Sequence, residues 1–123
     1  FELVGEADAL VEVVRGGREP YRVLNSGDVA NQQRIRFTNQ LEEPQRFSVE
    51  VLEPRDITLV LSESPVVVAA ERVVTVNAVT TVPRRLFANG QATVRYLITS
   101  DRGFRQETSF LLLGPFGAPG GPQ

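Results

Sequence analysis

The chain has 123 residues, 13 basic side chains (all of them arginine) against 15 acidic ones, and no His, Cys, Met or Trp. That set excludes an imidazole general base, a thiolate nucleophile, a disulfide framework, and the imidazole and sulfur ligands that soft metals require. The net charge of -2 is spread without blocks of one sign, which argues against a nucleic-acid or anionic-membrane surface, and no run of about 18 apolar residues exists to span a bilayer.

The hydrophobic content of 41% is that of a globular chain, and the length is that of one domain. The first residue is Phe1 and no Met occurs, which predicts a piece of a longer protein. Residues 1–8 are expected to be a lead-in from an upstream, membrane-proximal segment. From there the apolar period is two, not 3.6. Strict alternation at Arg34, Ile35, Arg36, Phe37 and Thr38 predicts a strand. A second runs from Arg46 through Phe47, Val49 and Val51, and a third carries Ile57, Leu59 and Leu61. Ala69 to Val73 fits either one helical turn or strand, and the β-branched residues after it favour strand. Val74, Val76 and Ala78 continue a fourth, Ala92, Val94, Tyr96 and Ile98 a fifth, and Phe104 to Leu112 the last.

Turn residues fill the gaps: Asn25-Ser26-Gly27-Asp28, Glu42-Glu43-Pro44, Pro54-Arg55-Asp56, a loop or bulge over 83–88, Asn89-Gly90, and Ser100-Asp101-Arg102-Gly103. About seven short antiparallel strands at this spacing predict an all-β, immunoglobulin-like β-sandwich over residues 9–115. The Pro/Gly-rich residues 116–123 are expected to form a flexible tail.

The candidate sites are few. Glu42, Glu43, Glu50, Glu53, Glu63, Glu71 and Asp101 fall in turns or on the solvent side of strands, where surface acids outnumber glycosidase pairs. Asn25, Ser26 and Asp28 are the nearest approach to a Ca²⁺ loop, and side-chain-closed turns explain them more simply. Ser62, Ser64, Ser100 and Ser109 have no His or Lys to activate them. Arg84-Arg85 fits an anion grip or plain loop decoration. Tyr21 and Tyr96 read as structural, with the Tyr96 hydroxyl expected to bond backbone at a sandwich corner. The possible interaction residues are therefore Asn25, Asp28, Arg84 and Arg85, with no catalytic, cofactor or metal residues.

One tract is distinctive. It carries Arg15, Tyr21, Arg22, Leu24, Gly27, Asn31, Ile35, Phe37, Asn39, Pro44 and Phe47, and the last strand closes on Phe110 to Gly114-Pro115. Over residues 9–115 the chain resembles the C-terminal immunoglobulin-like domain of the FixG/CcoG family, the cytochrome c oxidase accessory proteins. It departs from the family pattern at Gly16, where Asp is usual, at Gln33, where an aromatic is usual, and in its tail. The resemblance implies a polyferredoxin-like membrane parent whose iron–sulfur clusters lie outside this cysteine-free chain, and which assists haem–copper oxidase assembly by reducing copper. It further implies that Phe1 follows the last transmembrane helix and that the domain is tethered on the periplasmic side of the bacterial inner membrane.

The expected role is thus a non-catalytic interaction or scaffold module. Its partner would be a protein of oxidase assembly or the parent's own membrane domain, with no nucleic acid and no membrane span of its own. The alternative is a free-standing ligand- or carbohydrate-binding β-sandwich, weakened by the lack of Trp and the aromatic content of 7%. A small hydrolase is disfavoured by the missing base.

Overall fold

The computed structural model describes residues 8–116. Strands form at β1 (Ala9–Arg15), β2 (Arg22–Val23), β3 (Val29–Asn39), β4 (Gln45–Glu53), β5 (Thr58–Leu61), β6 (Val66–Val68), β7 (Val73–Val82), β8 (Gln91–Ser100) and β9 (Arg105–Leu113). One sheet has the order β1-β3-β7-β5, with β2 also on β3, and the other has the order β6-β4-β8-β9. Every pairing is antiparallel. The two sheets make an immunoglobulin-like β-sandwich.

The period-two residues build the core. On β3 the odd positions from Val29 to Asn39 are all buried. Phe37 meets Phe47 at 5.0 Å between ring centres, and Phe47 meets Phe104 edge-on at 5.9 Å. Val49, Val51, Leu59 and Val74 are partly buried against the same interior. The apolar residues fall into two clusters. One contains Ile35, Phe37, Ala78 and Ile98, the other Val29, Val82, Val94 and Tyr96.

Among the described residues nine strands stand where about seven were expected. β1 has a mixed signal, because the exposed Leu10 and Val14 put apolar residues on both faces and hide the alternation of Ala9, Val11 and Val13. β2 and β6 are too short to show a period. The helical turn at 69–73 does not form. Arg72 N–H donates to the Ala69 carbonyl at 3.1 Å, Glu71 takes φ 59, and β7 starts at Val73. A β-turn is enough to join β6 to β7 as the chain passes between sheets. The 83–88 segment contains a 3₁₀ turn at Arg84–Leu86. Asn89 (φ 55) and Gly90 (φ 77) then make the left-handed two-residue turn that joins Ala88 to Gln91.

A bulge at Leu52 shifts the β4 register, so that Val51 opposes Tyr96 while Glu53 opposes Arg95. It turns Glu53 to the outer face, where Arg95 bridges Glu53 and Glu107.

Register also sorts the loops. Val29 pairs with Val82 and Ala9 with Asn39. The turns at 24–28, 54–57 and 83–90 therefore share one end of the sandwich with Gly114. Asp8 and the turns at 40–44, 69–72 and 101–103 share the other. β1 and β9 run in the same direction, the chain entering at the Asp8 end and leaving at the Gly114 end. The expected lead-in and tail lie, apart from Asp8 and Phe116, outside the described residues.

Candidate functional site

Three positions on the inward side of β3 are polar, and each is held. Asn31 Nδ2 donates to the Leu113 carbonyl at 2.8 Å, and its Oδ1 accepts Leu113 N–H at 2.9 Å. The side-chain amide thus stands in for a strand residue against the end of β9. Asn39 Nδ2 reaches the carbonyls of Glu43 (2.8 Å), Val68 and Ala69 (both 3.1 Å). Its Oδ1 accepts from Leu41 N–H and from Gln45 Nε2. Gln45 Nε2 also donates to the Asp8 carbonyl at 2.9 Å, so this cluster fixes the chain where it enters β1.

Gln33 sits on the seam between the two apolar clusters. Its Nε2 donates to Tyr96 Oη at 3.0 Å, and its Oε1 accepts from Thr80 Oγ1 at 2.9 Å. Thr80 and Tyr96 hydroxyls lie 2.7 Å apart. The Tyr96 hydroxyl was expected to bond backbone at a corner; it bonds side chains in the middle of the core instead. Register makes the difference, since Thr80 and Tyr96 lie inward on strands that flank Gln33 from the same and the opposite sheet. The buried Gln33 amide is accommodated by two hydroxyls.

Burial raises the Tyr96 pKa above its ordinary value near 10, while the bonds to Thr80 and Gln33 pull the other way. The unfolded chain therefore ionises this phenol at lower pH than the native one. Its contribution to stability is complete below about pH 10 and is lost as pH rises toward the native pKa. Tyr96→Phe is expected to cost about 1–3 kcal/mol near neutrality, because it strands the Gln33 donor. It should also flatten the fall in stability above about pH 10. Urea midpoints of both proteins across that range are the check, and parallel curves would show that Tyr96 ionises freely in the folded chain.

The interaction residues singled out in the sequence fall at the Gly114 end. Asn25 is exposed and Asp28 half-buried in the β2–β3 turn. That turn is closed by Leu24 N–H to the Asp28 carbonyl at 2.8 Å and by Gly27 N–H to the Leu24 carbonyl at 2.9 Å. The side chain that helps is Ser26, whose Oγ accepts Asp28 N–H at 3.3 Å. Gly27 has φ 94, which asks for glycine. Arg85 is paired with Asp56 from the β4–β5 link. Arg84 is half-buried, with its Nε unpartnered among the described residues. The fold thus brings the two loops to one end, but Arg85 is already engaged within the protein. Glu42, Glu43, Glu50, Glu53, Glu63, Glu71 and Asp101 are all exposed. No group of three or more His, Cys, Asp or Glu suited to a metal occurs among the described residues.

Sequence reasoning missed a groove on the outer face of the β1-containing sheet. It has a volume of about 230 Å³ and is lined by Glu19, Tyr21, Arg22, Leu24, Ala30, Gln32 and Val79. A second hollow, of about 250 Å³, shares Gln32 and Val79 and extends to Gly16 and Gly17. The Glu19–Arg22 pair at 3.5 Å stands at the groove. The groove needs β2 laid on β3, and two paired residues leave no period in the sequence to announce it.

The residues of the distinctive tract are placed by this geometry. Arg15 donates to the Leu111 carbonyl at 3.1 Å and lies over the Phe110 ring at 5.2 Å. Asn31 and Asn39 bond backbone, and Ile35, Phe37 and Phe47 fill the core. A family model described as "IG-like fold at C-terminal of FixG, putative oxidoreductase" matches residues 1–115. Among solved structures, the crystal structure of a FixG-related protein from Vibrio parahaemolyticus superposes with a TM-score of 0.73 at 17% identity, over 87% of this chain and 96% of that one. The yeast GGA1_GAE domain-P21 crystal structure gives a TM-score of 0.51 at 13% identity, over 89% of this chain and 92% of that one. No curated protein sequence matches significantly.

Proposed function

Because the chain belongs to the family of Ig-like domains found at the C-terminus of FixG, we propose that it is a non-catalytic interaction or scaffold domain of a membrane-bound iron–sulfur protein that assists haem–copper oxidase assembly. In this reading it sits on the periplasmic side, tethered through the parent's upstream part. No helix among the described residues is long and apolar enough to cross a membrane, so the tether belongs to the parent. The clusters that carry electrons would belong to the parent as well.

The observation that supports this most is how the family-matching polar residues are used. Arg15, Asn31 and Asn39 each bind main-chain carbonyls within the domain. They hold the two sheets in one arrangement, so these side chains serve the fold. A domain of that kind acts by position, presenting its loops and edges to a partner. The loops at 24–28 and 83–88 are at the end opposite the Asp8 entry, the side that would face outward from a tether.

The test has two arms. Cu(I) favours sulfur ligands, and this chain has none. Titration of the isolated domain against a competing chelator should therefore show no stoichiometric Cu(I) binding. Deleting the domain from the parent, with parent levels held equal, should reduce oxidase assembly. Tight Cu(I) binding by the isolated domain would overturn the positional role, and unchanged assembly after deletion would overturn the docking role.

A further inference from the structure

The β9 edge of the second sheet is long, and only one end of it is closed. Gly114 N–H bonds the Gly90 carbonyl and Ser100 N–H the Phe104 carbonyl. In an antiparallel ladder these even-numbered positions of β9 face β8, so the backbone groups of residues 105, 107, 109, 111 and 113 point away from it. Leu113 is met by the Asn31 amide and the Leu111 carbonyl by Arg15. The outward groups of Arg105, Glu107 and Ser109 have no side-chain partner among the described residues. The other edges of the sandwich offer less. β5 has 4 residues and β6 has 3, and β1 is bridged at the Val11 carbonyl by Gln106.

Charged residues on an exposed edge normally keep other strands away. Here their order admits one arrangement with a copy of itself. Arg105 and Glu107 are both exposed, are two residues apart, and project from the outer face of the sheet, where within one copy Arg105 lies 3.3 Å from Glu107 and Arg95 also reaches Glu107. Antiparallel self-pairing centred on Gln106 sets Arg105 opposite Glu107 of the second copy, and Glu107 opposite Arg105. Each rung closes a reciprocal pair of backbone hydrogen bonds and joins opposite charges on one face. A slip of the register one way stacks Arg105 on Arg105, and the other way Glu107 on Glu107. We propose that the open stretch of β9 is a self-association surface, joining two copies of this chain edge to edge with Arg105 opposite Glu107. The surface is independent of the role assigned above to the parent.

Charge reversal tests both the edge and the register. The wild-type chain should dimerise reversibly in sedimentation velocity as its concentration is raised to about 1 mM, and the Arg105 and Glu107 amides should shift with concentration. Arg105→Glu and Glu107→Arg each place like charges on both rungs, so each alone should weaken association by about tenfold or more. Mixing the two variants restores opposite charges on both rungs. The mixture should therefore associate as the wild type does, which also shows that both variants remain folded. Arg105→Glu/Glu107→Arg in one chain should self-associate again. A wild-type chain that stays monomeric to about 1 mM would overturn the proposal. So would single variants that associate like wild type, or a mixture that stays monomeric.

Discussion

Phe37→Ala is expected to lower the unfolding free energy by about 3–5 kcal/mol, because the ring is fully buried and its loss leaves a cavity between the sheets. The ring touches Phe47, which in turn packs on Phe104, so the void opens in the middle of an aromatic stack that bridges both sheets. Arg36→Ala, one residue away, should stay within about 0.5 kcal/mol. Its side chain is on the solvent face, with only a 3.8 Å pair to Glu12. Denaturant midpoints of the two variants measure the contrast. Equal midpoints would mean that the strand presents the other face to the core.

Asn39→Ala should cost about 3 kcal/mol, more than an ordinary polar deletion, since the amide satisfies several buried groups at once. It removes one bond from each of the Val68, Ala69 and Glu43 carbonyls, the Leu41 N–H and Gln45 Nε2, although the Ala69 carbonyl keeps Arg72 N–H and Gln45 Nε2 keeps the Asp8 carbonyl. The loss should be felt at two turns together, because Asn39 ties the β3–β4 turn to the β6–β7 turn. Amide exchange at Leu41, read alongside the urea midpoint, checks this. A midpoint as high as that of Arg36→Ala would show that water replaces the amide at no cost.

The strands with clean alternation were legible in the sequence, and so were their inward faces: Ile35, Phe37, Phe47, Val76, Val94 and Ile98 are all buried as expected. The polar interior was less so. Asn31, Gln33 and Asn39 share the parity of Ile35 and Phe37, which is a signal of burial. Their partners, however, are fixed by strand order and not by spacing. Gln33 meets Tyr96 across 63 residues and Asn31 meets Leu113 across 82. The same holds for the two interaction loops. Each could be recognised as a turn, but their common end of the sandwich follows from β3 lying beside β7. β1 was obscured by outward Leu10 and Val14, and β2 owes its existence to the edge of β3 that it completes.

The directions of the first and last strands carry a mechanical consequence. The chain enters β1 at the Asp8 end and leaves β9 at the Gly114 end, so tension between the two points runs along the strands. The rungs from Ala9–Asn39 to Arg15–Gln33 are then loaded side by side in shear. They must give way together, whereas a pull across the strands would peel them one at a time. The bonds from Arg15 and Gln106 that span β1 and β9 lie across that direction and keep the two strands from parting. A domain wired in this way is expected to resist a pull between its two ends better than a pull across its strands.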